Sequence, residues 1–372
     1  MKRKVLFVAT VLRGHVLVFH LPYMKWFQEQ GYEVHLCCRN DTPDPDITVP
    51  YCDKWIQLPF ERSPFSRANI GVYKQLKAII DREDYALIHC NTPVGGVLGR
   101  LCSRAARKRG TKVVYTAHGF HFFSGAPVKN WLLFYPVERF LSRFTDLLIT
   151  MNGEDDRRAQ RFHARKTAMV NGVGVDLGRF EAEVDRDAVR NELGLPVDAP
   201  AIITVGEHIP RKNHETVLRA LALLPDVHAL FCGTGEKEDE LKALAGELDV
   251  RDRAHFLGFR RDVPRLLAAS DIFVFPSLQE GLPVSQMEAM AAGLPCVVSD
   301  VRGNADLVKN GQGGFLRKPC DHEGFAEDIA LLLGDPALRE NMAQRNRSIM
   351  HEYSLEAVLA QMTKLYSELL NG

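Results

Sequence analysis

Short apolar runs alternate along this chain with stretches in which apolar positions return every three or four residues. The first run is KVLFVAT (residues 4–10), followed by an amphipathic stretch over 16–30 that stops near Gly31. YEVHLCC comes next, then a helical stretch over 69–82, ALIHCN, a helical stretch from Gly95 to Arg109, KVVYTAHG, a helical stretch over 129–143, and DLLITMN. Continuous apolar runs of this length are strands buried on both faces. Strands separated by helices of this length join in parallel only through crossovers, which predicts a doubly wound α/β domain.

A second set follows the polar stretch Glu181–Arg190. Its strands are AIITVG, HALFCG, AHFLG, IFVFPS, LPCVVS and GGFL, with helices over 214–224, 236–248, 264–269 and 284–292. The architecture repeats without a visible repeat of sequence. We therefore expect one Rossmann-like domain over residues 1–180, a second over 181–353, and a linker within 172–190. The last segment carries Leu355, Val358, Leu359, Met362, Leu365, Tyr366 and Leu369 at helical spacing. That stripe needs a cover, and packing of the terminal helix (354–372) back on the first domain supplies one.

Composition agrees with two buried cores: the 372 residues are 46% hydrophobic, which excludes a disordered or fibrous chain. The net charge of zero hides an asymmetry. Residues 1–180 hold 27 Lys and Arg against 16 Asp and Glu, and the remainder holds 20 against 31. A basic first half suits an anionic partner such as a bilayer surface or a phosphate-bearing acceptor. Nucleic acid would fit the charge alone, but no zinc-finger spacing, leucine zipper or RNP-like strand accompanies it. The eight cysteines form no C-x-x-C and read as small core residues in a reducing compartment. The amino terminus turns polar at Arg13-Gly14-His15 before a signal-peptide core is complete, and no apolar run approaches the roughly 20 residues that span a bilayer. Trp131-Leu132-Leu133-Phe134-Tyr135, with Phe140, Leu141, Phe144, Arg139 and Arg143, fits both a helix packed within the protein and a peripheral membrane contact.

Three clusters carry chemistry. The sharpest runs from Phe275 through Glu280-Gly281-Leu282-Pro283-Val284 and Glu288 to Gly293-Leu294-Pro295. It leads from the carboxyl end of a strand into a helix that Pro283 starts and Gly293 ends. Ligands of open α/β sheets bind at such strand ends, where first-turn amides attract phosphate oxygens. Ionised Glu280 and Glu288 cannot donate to phosphate, so each suits the hydroxyls of a sugar; an exposed helix position is the plainer reading of Glu288. In the second cluster, Gly206-Glu207-His208-Ile209-Pro210-Arg211-Lys212, two cations at a strand-end loop suit a departing diphosphate. An ordinary basic turn would carry the same residues. The third, Thr116-Ala117-His118-Gly119-Phe120-His121-Phe122-Phe123, places a histidine at the end of the strand KVVYT, where it can orient a hydroxyl or phosphate. By composition His118 and His121 are equal candidates.

Glu280 and Glu288, between SDIFVFPS and AAGLPCVVSD, match the Glu-x7-Glu signature, and the chain resembles retaining glycosyltransferases of family 4 over essentially its whole length. The resemblance implies the GT-B architecture of two Rossmann-like domains facing each other across a cleft. It places Glu280 near the donor sugar and Glu288 on the ribose hydroxyls, Lys212 on the diphosphate, and His118 rather than His121 on the donor sugar. Glu207 stands where that family carries an Arg, which leaves Arg211 as the possible second cation of the clamp. Gly-Glu with Lys-Asn-His, AHGFHFFSGAP and NWLLFYPVER resemble the bacterial capsule and exopolysaccharide branch, in which His121, Phe122 and Phe123 would shape the acceptor site. Gly14 and His15 lie in the loop that bends over donor and acceptor, Gly233-Thr234-Gly235 resembles the turn near the nucleotide, and Phe259 is placed to frame the base.

The resulting expectation is a metal-independent, retaining transfer from a nucleoside-diphosphate sugar, UDP-linked, to a polyprenyl-diphosphate-linked saccharide at the cytoplasmic face of the inner membrane. No permanently bound cofactor and no metal site is expected, since Asp44-Pro45-Asp46 sits in a Pro-rich loop. A nucleotide-sugar epimerase, which would need no acceptor, and a noncatalytic nucleotide-binding scaffold, suggested by Glu207, are the alternatives. Donor-dependent product formation separates transfer from both.

Overall fold

The computed structural model describes residues 2–372. The chain divides into two compact units, Met1–Gly172 with Val358–Gly372, and Val173–Ala357. The first is built on a seven-stranded, all-parallel sheet of β1 (Lys4–Val11), β2 (Glu33–Arg39), β3 (Lys54–Gln57), β4 (Tyr85–Cys90), β5 (Lys112–Ala117), β6 (Leu147–Thr150) and β7 (Lys166–Met169), in the order β3-β2-β1-β4-β5-β6-β7. The order reverses between β1 and β4, which puts a crevice at their carboxyl ends. Leu6, Val8, Ile88, Val113 and Leu148 from the sheet meet Leu76, Ile80 and Leu98 from the helices Ala68–Arg82 and Pro93–Cys102 in one core. Gly96 and Gly99 let the second helix lie close: a Cβ at Gly96 would sit 2.4 Å from the Tyr115 ring.

In the second unit β8 (Ala201–Val205), β9 (His228–Cys232), β10 (Ala254–Gly258), β11 (Ile272–Phe275), β12 (Cys296–Ser299), β13 (Lys309–Asn310) and β14 (Gly313–Arg317) form another parallel sheet, in the order β10-β9-β8-β11-β12-β14-β13. Its switch point lies between β8 and β11. Every central strand is apolar on both faces because helices cover both, the pattern expected of crossover-linked parallel strands.

The unit boundary lies at Gly172/Val173 rather than at residue 180. Val175 explains the shift: its N–H donates to Tyr353 O at 2.9 Å, its carbonyl accepts from Leu355 at 2.9 Å, and its side chain joins the core of the second unit with Leu177 and Phe180. The polar stretch 181–190 is likewise no free linker. It runs into the helix Arg186–Glu192, where buried Arg190 donates to Ala269 O, Val197 O and Ala199 O and pairs with Asp271 at 3.1 Å. The terminal helix Leu355–Asn371 buries Val358, Met362 and Tyr366. In the first unit the Tyr366 ring packs against Trp26 and Phe27, and its hydroxyl meets His89 Nδ1 at 2.9 Å.

Candidate functional site

Two loops leave the switch point of the second sheet together, one after β8 and one after β11. They are tied by Leu278 N–H to Arg211 O at 2.8 Å and by Asn213 Nδ2 to Pro276 O at 3.0 Å. Asn213 adopts the left-handed conformation (φ 55°) that ends the short turn Pro210–Lys212 and lets the helix His214–Ala222 begin. The predicted cations and carboxylate are thereby brought into contact. Glu280 Oε1 accepts from Lys212 Nζ at 2.8 Å, from Arg211 at 2.9 Å and from Ser277 Oγ at 2.5 Å. Lys212 lies over the Phe275 ring at 4.5 Å. Burial draws its pKa down, against the opposing pull of Glu280. A buried cation pairs with whatever anion is within reach. In the ligand-free chain that anion is Glu280.

The next helix, Val284–Ala291, follows Pro283 and Leu282 and has no side-chain cap at its amino end. Uncapped first-turn amides are the groups an anion occupies. Gly281 is fixed from outside: the carbonyl of Glu280 accepts from Arg302 Nε at 3.0 Å, and Gly303 (φ +82°) lies so close that a Cβ there would be 2.6 Å from Gly281 O. One face of the helix presents Glu288, whose carboxylate accepts from Arg179 at 2.9 Å. Burial raises the Glu288 pKa, and Arg179 partly offsets that. Both carboxylates are therefore held by cations, not exposed on a helix surface.

The glycine turns complete this edge. A Cβ on Gly233 (φ +152°) would lie 1.9 Å from Gly206 O, and one on Gly235 would lie 2.4 Å from His208 O. The β8 and β9 loops can approach this closely only with glycine at these positions. Gly206 itself lies against the Lys212 side chain, whose Cδ would be 3.5 Å from a Cβ there. Phe259 stands 68% exposed after β10, available to a flat partner, and Glu207 is exposed.

In the first unit the loop after β1 is a π-helical turn, Leu12–Val16, closed by Leu17 N–H to Leu12 O. Such turns are rare and concentrate at functional sites. Asp41, at the end of β2, holds it by accepting from Leu12 N–H at 2.8 Å and Arg13 N–H at 2.7 Å. Gly14 has an ordinary φ, and a Cβ there would meet only the end of the Arg62 side chain, at an ordinary 3.9 Å, so no close approach demands glycine there. His15 and His118 do meet, with ring centroids 4.6 Å apart, and His20 is 4.7 Å from His15. Burial pushes His118 down to about 4 and His89 to about 3, and holds His15 and His20 well below the usual imidazole value. His121 lies apart from this group, its ring 4.7 Å from Phe134. Phe122 is fully buried and stacked on Phe120, so it serves the core rather than an acceptor surface.

Sequence reasoning missed Ser277 and Arg179, which orient the two carboxylates, Arg302, which holds the Glu280 carbonyl, and His20 and Asp41 in the first unit. It also missed Thr92 after β4, held at φ 62° with its hydroxyl 2.7 Å from Thr10 Oγ1 at the first switch point. A non-glycine residue in that conformation is a strained position of the kind found at binding sites.

With this geometry in hand the relatives are informative. Residues 4–152 match the model of the glycosyl transferase 4-like domain, and residues 185–349 match that of glycosyl transferases group 1. The Bacillus subtilis (strain 168) protein EpsD, named as a glycosyltransferase, is 40% identical over 99% of this chain and 97% of its own length. The chain belongs to the family 4 glycosyltransferases. As a member of that family it is a transferase with two Rossmann-like doubly wound domains of the GT-B class. An Escherichia coli relative, UDP-Gal:alpha-D-GlcNAc-diphosphoundecaprenol alpha-1,3-galactosyltransferase, is 29% identical over 92% of this chain and 90% of its own. Among solved structures, Anabaena HepE in complex with UDP and glucose superposes with a TM-score of 0.81 at 23% identity, covering 98% of this chain and 100% of that one. Sucrose-phosphate synthase from Thermosynechococcus elongatus gives 0.80 at 22% identity, covering all of both chains. These two likenesses concern the fold.

Proposed function

We propose that this glycosyltransferase moves a sugar, with retention, from a UDP-linked donor to a polyprenyl-diphosphate-linked saccharide in surface polysaccharide synthesis. The observation that carries the reading is the convergence of Arg211, Lys212 and Glu280 beside the uncapped start of the helix Val284–Ala291. Lys212 is already neutralised by a carboxylate at 2.8 Å, so a diphosphate arriving at the helix start has a cation preset for it. Arg211, whose guanidinium reaches the same carboxylate, replaces the arginine absent at Glu207. The ribose hydroxyls take the place of Arg179 on Glu288, and Phe259 meets the base.

In this scheme Glu280 holds Lys212 and Arg211 in position and accepts from the donor sugar, while His118, neutral at pH 7, orients a hydroxyl. The acceptor hydroxyl attacks the anomeric carbon on the face from which the diphosphate leaves, and its proton passes to a departing phosphate oxygen. No protein nucleophile and no metal takes part. The activity for which the E. coli relative is named, transfer of galactose to a diphosphoundecaprenol-linked sugar, supports a lipid-linked acceptor for this chain.

Access to such an acceptor fits peripheral attachment to the cytoplasmic face of the inner membrane. Among the described residues no helix is long and apolar enough to cross a membrane. The helix Val128–Leu141 turns Trp131, Phe134 and Tyr135 inward but leaves Val128, Leu132, Leu133, Val137 and Phe140 exposed, with Lys129, Arg139 and Arg143 nearby. An exposed apolar stripe flanked by cations suits an anionic bilayer surface. Incubation of the protein with a panel of nucleotide sugars and extracted lipid-linked saccharides tests the function. A product that requires both partners and retains the donor's anomeric configuration is expected. A changed sugar released without acceptor would indicate an epimerase, and binding without turnover a scaffold.

A further inference from the structure

The π-helical turn after β1 and the loop after β5 bring three imidazoles of the first unit together. Ring nitrogens of His15, His20 and His118 all lie within 4.8 Å of one another. His20 is 2% exposed with neither ring nitrogen hydrogen-bonded, and His15 Nε2 and His118 Nε2 are buried without a partner as well. A buried polar atom normally has a partner in the protein, in water or in an ion, so several such nitrogens around one point call for an occupant. The neighbouring His89 offers nothing to it: its Nδ1 meets Tyr366 Oη at 2.9 Å and its Nε2 meets Thr116 Oγ1 at 2.8 Å.

The chemistry of the three donors selects the occupant. Imidazole nitrogens without a carboxylate suit zinc, copper, nickel and iron, not calcium or magnesium, which require oxygen ligands. We propose that His15, His20 and His118 form a binding site for a divalent transition-metal ion of the zinc class, with the fourth coordination position open. Bonds of about 2.0 Å in a tetrahedron set nitrogens about 3.3 Å apart, so the rings close inward by roughly an ångström on binding. His15 rides on the π-helical turn, a segment without the regular helical register, and supplies that adjustment. His118, half-buried, is the side from which the ion enters. The site is built from the first unit alone and stands whether or not the proposed donor and acceptor are right.

The test uses full-length, untagged protein freed of metal with a chelator. It is titrated with Co2+, read by visible absorption, and with Zn2+ in competition with a chromophoric chelator. One ion per chain is expected, with the intense cobalt bands of a four-coordinate site. His15→Asn and His118→Asn should each weaken zinc by at least about tenfold, the loss that removal of a mere outer-shell partner already produces. His228→Gln, which removes one ring of an imidazole pair elsewhere in the chain (His228 Nδ1 to His255 Nε2, 3.0 Å), should leave the affinity unchanged. Circular dichroism verifies that each variant is folded, and His20→Asn is a third arm should either of the others unfold. Absence of stoichiometric binding by the wild type would overturn the proposal. So would full affinity in both His15→Asn and His118→Asn, or a loss confined to His228→Gln.

Discussion

At the scale of single residues, the second unit holds charges against one another: Glu280 against Lys212 and Arg211, and Glu288 against Arg179. Glu280 has three donors on a single oxygen, and Lys212 is desolvated over Phe275. Glycine at 233 is equally demanding, because its neighbour is backbone and cannot move aside as a side chain can. Gly233→Ala should therefore push the β8 and β9 loops apart, lower the melting temperature, and weaken UDP by about tenfold or more, as a displacement of about an ångström does elsewhere. Calorimetry and thermal denaturation read the two effects together. His214 supplies a pH dependence. It opens the helix after Lys212, is buried with neither ring nitrogen hydrogen-bonded, and has its pKa lowered to about 3 by burial. A histidine whose folded pKa lies below its unfolded value binds its proton only in the unfolded chain between the two. Stability is thus complete above about pH 6.5 and falls as pH drops from there toward 3, by about 1.4 kcal/mol per pH unit for each such proton. His214→Phe should make the denaturation profile less steep below about pH 6.5; an unchanged slope would show that this residue is not the source.

Among the elements, the terminal helix Leu355–Asn371 carries the clearest stability prediction. Tyr366 is fully buried between Trp26 and Phe27, and its hydroxyl completes the His89–Thr116 chain. Tyr366→Phe should cost about 1 kcal/mol, one hydrogen bond, whereas Tyr366→Ala should cost about 3–5 kcal/mol through the cavity it leaves. Urea denaturation of the two variants separates the contributions. The central strands and this helix were legible because burial on both faces, or along one stripe, writes itself into the sequence as runs or periodicity. The two edge strands of the first sheet were not. Lys54–Gln57 and Lys166–Met169 read KWIQ and KTAM, with exposed ends and no continuous apolar run. The helix Pro336–Met350 buries only Met342, Ala343, Asn346 and Met350, too sparse a stripe to announce itself. The helix His322–Gly334 was within reach, since Phe325, Ile329 and Leu332 recur at helical spacing.

For the molecule as a whole, motif and position agreed where local sequence dictates geometry: strand, turn and helix start around Glu280, and the loop carrying Arg211 and Lys212. What escaped the sequence were partners distant along the chain. Arg179 reaches Glu288 across 109 positions and Asp41 reaches Leu12 across 29, and no spacing rule marks either pair. The unit boundary was misplaced for the same reason, because Val175 belongs to the second unit through its bonds to Tyr353 and Leu355. Family membership establishes a transferase, and the charge arrangement of the second unit supplies the reading of its donor. Calorimetric titration of UDP into the wild type, Lys212→Ala and Glu288→Ala tests that reading most directly. One site in the wild type is predicted, with affinity lowered roughly ten- to a hundredfold in each variant, the worth of one charge-assisted hydrogen bond of about 1.5–3 kcal/mol. Equal affinity in all three folded proteins would contradict it.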